Sequence, residues 1–292
     1  MLTVAVTGAT GAQGGATARA LLKAGHRVRA LTRRSDSPAA AALRALGAEV
    51  RHAHFDDRAS LDAALIGADC LFAVTTPFGT NTATETRQGA ALVDAAAAAR
   101  LGHVVFTSAA HADRDTGVPH YESKRLIERR LRGSGVPWTV IAPAAFMENY
   151  ASGWTLDGLR DGVFAWPMPA DRPLTLIPAA DIGAFAALVL QRRDEFTGQR
   201  IDIASDERTP DQMAQILTTA TGRPITHQQM PLEYVRTRSK DLAAMFDYFT
   251  TVGLDVDLTA LRRDHPEVGW HTFADWSAAQ DWPALLSPPA HH

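Results

Sequence analysis

Cysteine is nearly absent from the chain: Cys70 is the single one in 292 residues. No disulfide can form within the chain, so the fold must rest on its core. Cys70 sits in the apolar run Cys70-Leu71-Phe72-Ala73-Val74, where a buried, inert thiol is expected, as in a reducing compartment. No block of clustered Lys and Arg occurs, and the formal net charge is -3. That balance lacks the positive footprint of a protein that binds nucleic acid directly. No apolar run approaches the ~20 residues needed to span a bilayer, because Arg and Asp interrupt the alanine-rich stretches. The opening MLTVAVTGATG has no basic segment and turns glycine-rich after one short strand, unlike a secretory signal. The expectation is a cytoplasmic protein without membrane association. His291 and His292 are given no role.

The composition, 46% hydrophobic and 21% charged, supports a full core. Short β-branched or apolar runs at 3–6, 27–31, 49–53, 70–74, 104–107 and 139–141 read as strands. Amphipathic stretches at 12–23, 60–65, 84–100 and 121–132 read as the helices between them. Repeated βα units predict an α/β protein with a doubly wound parallel sheet, the Rossmann fold, and a smaller, mainly helical C-terminal lobe. Gly25, Gly102 and Gly133 are expected to end helices in the left-handed conformation. Glycine and proline crowd the chain after Pro143, where the regularity weakens. Residues 1–150 are therefore assigned to dinucleotide binding, with 179–205 completing the sheet. Residues 151–178 and 206–292 form the smaller lobe for substrate or partner. Thr209 is the expected N-cap of a helix opening on Pro210, and Phe273 and Trp276 are expected to pack together.

The segment Val6-Thr7-Gly8-Ala9-Thr10-Gly11-Ala12-Gln13-Gly14 runs from strand through glycine turn into helix, and only that order gives the glycines meaning. Gly8 permits the tight turn, Gly11 lets the backbone approach a pyrophosphate, and Gly14 allows helix and strand to touch. Exposed N–H groups and the positive helix end then face the phosphates. The alternative is a turn that only reverses the chain. At the end of the second strand, Ala30-Leu31-Thr32-Arg33-Arg34, there is no Asp or Glu to bind a ribose 2'-hydroxyl. The Arg33 guanidinium can pair with a 2'-phosphate, where a carboxylate would repel it, so NADP(H) is the expected cofactor. Ordinary surface charge is the competing reading for Arg33 and Arg34.

Together GATGAQGG at 8–15, RALTRR at 29–34, FDDRASL at 55–61, VPHYESK at 118–124, SGVPWTVIAPAAFMEN at 134–149 and PAADIG at 178–183 resemble the NmrA-like family of atypical short-chain dehydrogenases/reductases. The resemblance runs over most of residues 2–230 and fades in the C-terminal lobe. It implies that Asp56 approaches the adenine and that Thr75, Thr76 and Pro77 line the ribose and nicotinamide side. It further implies that Pro143 and Phe146 bracket the nicotinamide, with Asn149 nearby. Core packing is the alternative for Phe146, and Asp57 is read as a helix cap.

Ordinary short-chain dehydrogenases use a Ser, and a Tyr four residues before a Lys, so that the ammonium lowers the phenol's pKa across one helical face. This chain offers Ser108 and Lys124, but the residue four before Lys124 is His120, and Tyr121 stands three before. Either can reach the same face. The resemblance assigns Lys124 to the nicotinamide ribose hydroxyls, and its charge would favour an oxyanion on a substrate. His120 is the candidate proton donor, with Tyr121 as the alternative. His52 and His54 lack a third ligand, so no metal site is expected.

Three activities compete. The first is an NADPH-dependent reductase of a small, largely apolar carbonyl, quinone or enone, with Phe146, Met147, Trp154, Phe164 and Trp166 as an apolar wall. The second is a non-catalytic redox sensor that binds NADP(H) and acts through a regulatory protein partner or a homodimer. The third, epimerase-like chemistry, lacks its usual Tyr-x-x-x-Lys pair.

Overall fold

The computed structural model describes residues 1–287; His291 and His292 lie outside the described residues. The chain divides into two compact units, Met1–Pro143 with Ala179–Ile203, and Ala144–Pro178 with the described residues from Ala204 onward. In the first unit the order is β1 (Thr3–Val6), α1 (Ala12–Lys23), β2 (Arg27–Thr32), α2 (Pro38–Ala45), β3 (Glu49–His52) and α3 (Arg58–Leu65). It continues with β4 (Cys70–Val74), α4 (Thr82–Ala98), β5 (His103–Thr107), α5 (Pro119–Arg132) and β6 (Trp138–Pro143). The helix Ala179–Gln191 and the strand Arg200–Ile203 complete it.

All seven strands run parallel, in the order Arg200–Ile203, β6, β5, β4, β1, β2, β3. The central strands TVAV, CLFAV and HVVFT are buried almost throughout, as expected where helices cover both faces of a parallel sheet. β3, at one edge, is mostly exposed and carries Glu49, Arg51 and His52, charges that suit an unpaired edge. The strand order reverses direction between β1 and β4, the switch point beyond which such sheets bind ligands. Thr7 closes that point: its hydroxyl accepts from the Val74 N–H at 2.8 Å and donates to the Val74 carbonyl at 3.1 Å. Across one face, a Cβ on Gly183 would lie 2.6 Å from the Ala16 carbonyl carbon, so the helix Ala179–Gln191 meets α1 backbone to backbone.

Two details differ from the expectations. The boundary falls at Pro143 rather than at residue 150, because the short strand Ala145–Phe146 pairs with Leu174–Ile177 instead of joining the parallel sheet. Gly102 and Gly133 do not take the left-handed conformation. Arg100 does so after α4 (φ 53°) and Gly135 after α5 (φ 77°), so the chain reverses a residue or two away from the glycine that marks each exit.

The second unit holds a three-stranded sheet and the parallel pair Val163–Trp166 with Thr226–Gln229. Thr209 caps the helix Pro210–Thr221 through a capping box with Gln212. Tyr150, Phe164, Trp166 and Phe273 form an aromatic core, with centroids 4.8–5.7 Å apart from Tyr150 to each of the others. Phe273 stacks on Trp276 at 5.4 Å. Among the described residues no helix is long and apolar enough to cross a membrane.

Candidate functional site

The carboxyl ends of the first unit's strands carry the candidate residues. Gly8 adopts φ +58° and leaves no room for a side chain, since a Cβ would lie 2.7 Å from a Val74 methyl. A Cβ on Gly14 would collide with the Thr7 and Gly8 carbonyls, so α1 sits flush on the turn. The Gly11 N–H donates to the Gly8 carbonyl at 2.9 Å. Gly8, Thr10, Gly11 and Ala12 are exposed. Gly11, the N-cap of α1, supplies no capping side chain. The helix therefore presents backbone donors and the positive end of its dipole to solvent, which is the physical requirement for holding a phosphate. Gln13 is turned inward, its Oε1 accepting from the Thr107 hydroxyl at 2.7 Å. This bond fixes the end of β5 against the start of α1.

Arg33 and Arg34 follow β2, exposed, and among the described residues neither has a side-chain ion-pair partner. Asp56, beyond β3, is held from α4 by Gln88 Nε2 at 2.9 Å and Arg87 Nη2 at 3.0 Å. These two hydrogen bonds, with the charge of Arg87, keep its carboxyl below the usual range. Arg87 escaped the sequence reading because it sits in an ordinary helical stretch 31 residues from its partner. Asp57 caps α3.

At the end of β4, Thr75 and Pro77 are buried and Thr76 is exposed. Here lies a buried polar cluster. Lys124 Nζ is 2.8 Å from Glu85 Oε1, 2.7 Å from the Thr75 carbonyl and 3.2 Å from the Thr75 hydroxyl. The Thr75 hydroxyl donates to Glu85 Oε1 at 2.9 Å, and the Ser123 hydroxyl donates to the other carboxylate oxygen. Glu85 is fully buried, which a carboxylate tolerates only when paired and hydrogen-bonded. With an anion this close, Lys124 is half of a neutral pair. Its field at a substrate oxygen is largely cancelled, so the oxyanion role expected for its charge is not what this geometry offers.

His120 and Tyr121 precede Lys124 on α5 and are also buried. Their rings meet edge to face at 4.8 Å, and Phe78, exposed on the loop after β4, lies 5.8 Å from His120. Ser108 sits elsewhere: it is buried and donates to Glu128 Oε1 at 2.5 Å. Glu128 in turn accepts from Arg132 at 2.8 Å and Arg200 at 3.2 Å. The hydroxyl expected to act on substrate is thus absorbed in an ion network. Pro143 ends β6, and Phe146, half-buried, lies in the second unit. Phe164 and Trp166 pack on Tyr150 and on each other and, like Met147, are buried, so they form no open apolar wall; Trp154 is exposed.

Cys70 is buried, and desolvation pushes its thiol up to about 11. Among the described residues no group of three His, Cys, Asp or Glu is placed to hold a metal ion.

The fold and the turn after β1 together define a Rossmann-type sheet with an open anion cradle at its switch point. The chain belongs to the NmrA-like family, whose model matches residues 2–280. It is 33% identical over 237 residues to the (4-alkanoyl-5-oxo-2,5-dihydrofuran-3-yl)methyl phosphate reductase of Streptomyces griseus, spanning 80% of this chain and 79% of that protein. It is 30% identical over 234 residues to quinone oxidoreductase 2 of Escherichia coli, spanning 78% and 77%. The crystal structure of the NADPH-dependent quinone oxidoreductase of Escherichia coli complexed with NADPH matches with a TM-score of 0.78 and 26% identity, covering 94% of this chain and 98% of that one.

Proposed function

We propose that this protein is an NADPH-dependent oxidoreductase that reduces a small, largely apolar carbonyl, quinone or enone. The observation that carries the reading is the open cradle at Gly8–Gly14, with the exposed Arg33 guanidinium after the next strand and no carboxylate beside it. A 2'-phosphate needs a cation there, and the pyrophosphate needs bare backbone donors. The two reductase relatives support the redox assignment. NADPH supplies a hydride when bound. Gly8, Thr10, Gly11 and Ala12 would hold its pyrophosphate, Arg33 its 2'-phosphate, and Thr75, Thr76 and Pro77 its ribose and nicotinamide side.

The chain's own task is then to orient the nicotinamide and deliver a proton. Lys124 orients, as a directed hydrogen-bond donor rather than as a net charge. His120 is the proton donor in this reading, with the Tyr121 ring packed perpendicular to it. Turnover of NADPH by the purified protein with a panel of quinones, enones and aldehydes tests the reading. An acceptor-dependent loss of reduced-nicotinamide absorbance supports it, and tight binding without turnover of any acceptor contradicts it.

One observation favours a second reading, a cofactor sensor: all three ammonium protons of Lys124 already have acceptors within the protein. A sensor would bind NADPH and NADP with different affinities and change its self-association or partner binding between them. Equal behaviour of the cofactor-free, oxidised and reduced forms would remove it.

A further inference from the structure

Glu85 belongs to no motif, yet it is a fully buried charge at the carboxyl end of the sheet. It stands in the first turn of α4, and Gly89 one turn later lies so close to α5 that a methyl there would overlap the Ile127 side chain. Ser123 stands one turn before Ile127. The absence of a side chain at Gly89 thus lets α4 close on α5, and closure brings the Glu85 carboxylate to Ser123 and Lys124.

The donor count on Lys124 gives this contact a consequence. An ammonium has three protons, and three acceptors surround it: the Thr75 carbonyl at 2.7 Å, Glu85 at 2.8 Å and the Thr75 hydroxyl at 3.2 Å. The hydroxyl contact is the longest, and its oxygen already gives its own proton to Glu85. It is the weakest of the three, because the other two are shorter and the one to Glu85 joins two charges. We propose that Glu85 is a positioning residue that fixes the reach of Lys124, leaving the one proton held by the Thr75 hydroxyl to be exchanged for a ribose hydroxyl of NADPH. The inference rests on the reading of the site as an NADPH site. Without the carboxylate only the Thr75 carbonyl and hydroxyl hold the end of the flexible four-carbon lysine stem, and the buried ammonium loses its counter-charge.

The sequence makes the test direct, since it contains only three lysines, Lys23, Lys124 and Lys240. Lys23 and Lys240 are exposed and Lys124 is buried, so a slowly exchanging ammonium signal in nitrogen-15 lysine-labelled, full-length protein belongs to Lys124. We expect one protected ammonium cross-peak without cofactor, which shifts on adding NADPH and remains protected. Glu85→Gln removes the protection and raises the Kd for NADPH about tenfold, the worth of one charge-assisted hydrogen bond. Ser123→Ala keeps the ion pair while loosening the carboxylate; it retains the cross-peak and raises the Kd about two- to threefold. It serves also if the glutamine variant fails to fold. A Lys124 signal that NADPH does not move, or wild-type affinity in the folded variants, overturns the proposal while leaving the NADPH reading intact. Failure of the wild-type protein to bind NADPH overturns both.

Discussion

Two buried glutamates flank β5 in the same unit, and they serve different ends. Glu85 and Glu128 are both fully buried, and each holds a serine and a cation. Glu128 faces two arginines, of which Arg200 also holds the Ala109 carbonyl at 2.9 Å and pairs with Asp202 and with Asp113 at 3.3 Å. Forked guanidiniums fix several partners at once, so this cluster is a staple joining α5, the edge strand Arg200–Ile203 and the loop after β5. Glu85 faces one lysine, whose ammonium bonds the Thr75 carbonyl at the start of the candidate cofactor segment. A burial pattern that looks alike on paper thus yields a structural joint in one place and an adjustable donor in the other.

Breaking the joint should have the largest effect. Glu128→Gln leaves Arg200 and Arg132 facing a neutral group and is expected to destabilise the protein by about 3–5 kcal/mol. Chemical denaturation measures this, and the protein that remains folded should bind NADPH with unchanged affinity.

A buried titratable group at the opposite end of β5 sharpens the contrast. His103 is fully buried, its Nε2 lies 2.8 Å from the Thr139 hydroxyl, and desolvation pushes its pKa down from 6.5 to about 4. The Thr139 proton goes to the Phe196 carbonyl, so Nε2 carries the imidazole proton and donates. Well above pH 7 the folded and unfolded chains both hold this ring neutral and it contributes no pH dependence. As the pH falls through 6.5 the unfolded chain takes up a proton that the native ring refuses, and stability drops until about pH 4. The loss reaches about 3 kcal/mol. Denaturation curves between pH 7 and 4 should show that slope in the wild type, and a shallower one in His103→Gln.

At the open end of the sheet, Arg33→Ala should weaken NADPH binding about tenfold to a hundredfold, or about 1.4–3 kcal/mol, with NADH binding little changed. Calorimetric titration with both cofactors measures the difference. The smallest effect is expected of Ser108→Ala, which removes one hydrogen bond from the Glu128 staple. Stability should fall by about 1–3 kcal/mol while turnover stays within a factor of about three. A loss of a hundredfold or more, the scale of a proton-transfer group, would return Ser108 to the chemistry.

The parts of the molecule legible in sequence are those set by neighbours along the chain. The runs TVAV and CLFAV declare buried strands, and Gly8 through Gly14 declare a turn because side chains there would clash with the Thr7 and Gly8 backbone and a Val74 methyl. Asp57 and Thr209 are caps whose partners stand three residues on. The illegible parts depend on distant packing. Glu85 lies 39 residues before Lys124 in an ordinary helical stretch, TETRQG, and only the close approach of α4 to α5 joins them. Ser108 carries the residue type and position of a catalytic serine, but its neighbour Glu128, 20 residues on, decides its use. Phe164 and Trp166 look alike in sequence whether they wall a cleft or fill a core; in the second unit they fill the core.

The most direct measurement follows the hydride itself. Protein incubated with a quinone and NADPH carrying deuterium at the reacting nicotinamide carbon is expected to yield oxidised cofactor as reduced product appears. With an enone or aldehyde acceptor, whose new C–H bond keeps the label, the product is expected to be heavier by one deuterium in the mass spectrum. Bound NADPH that stays intact and fully labelled after prolonged incubation with every acceptor would contradict the account.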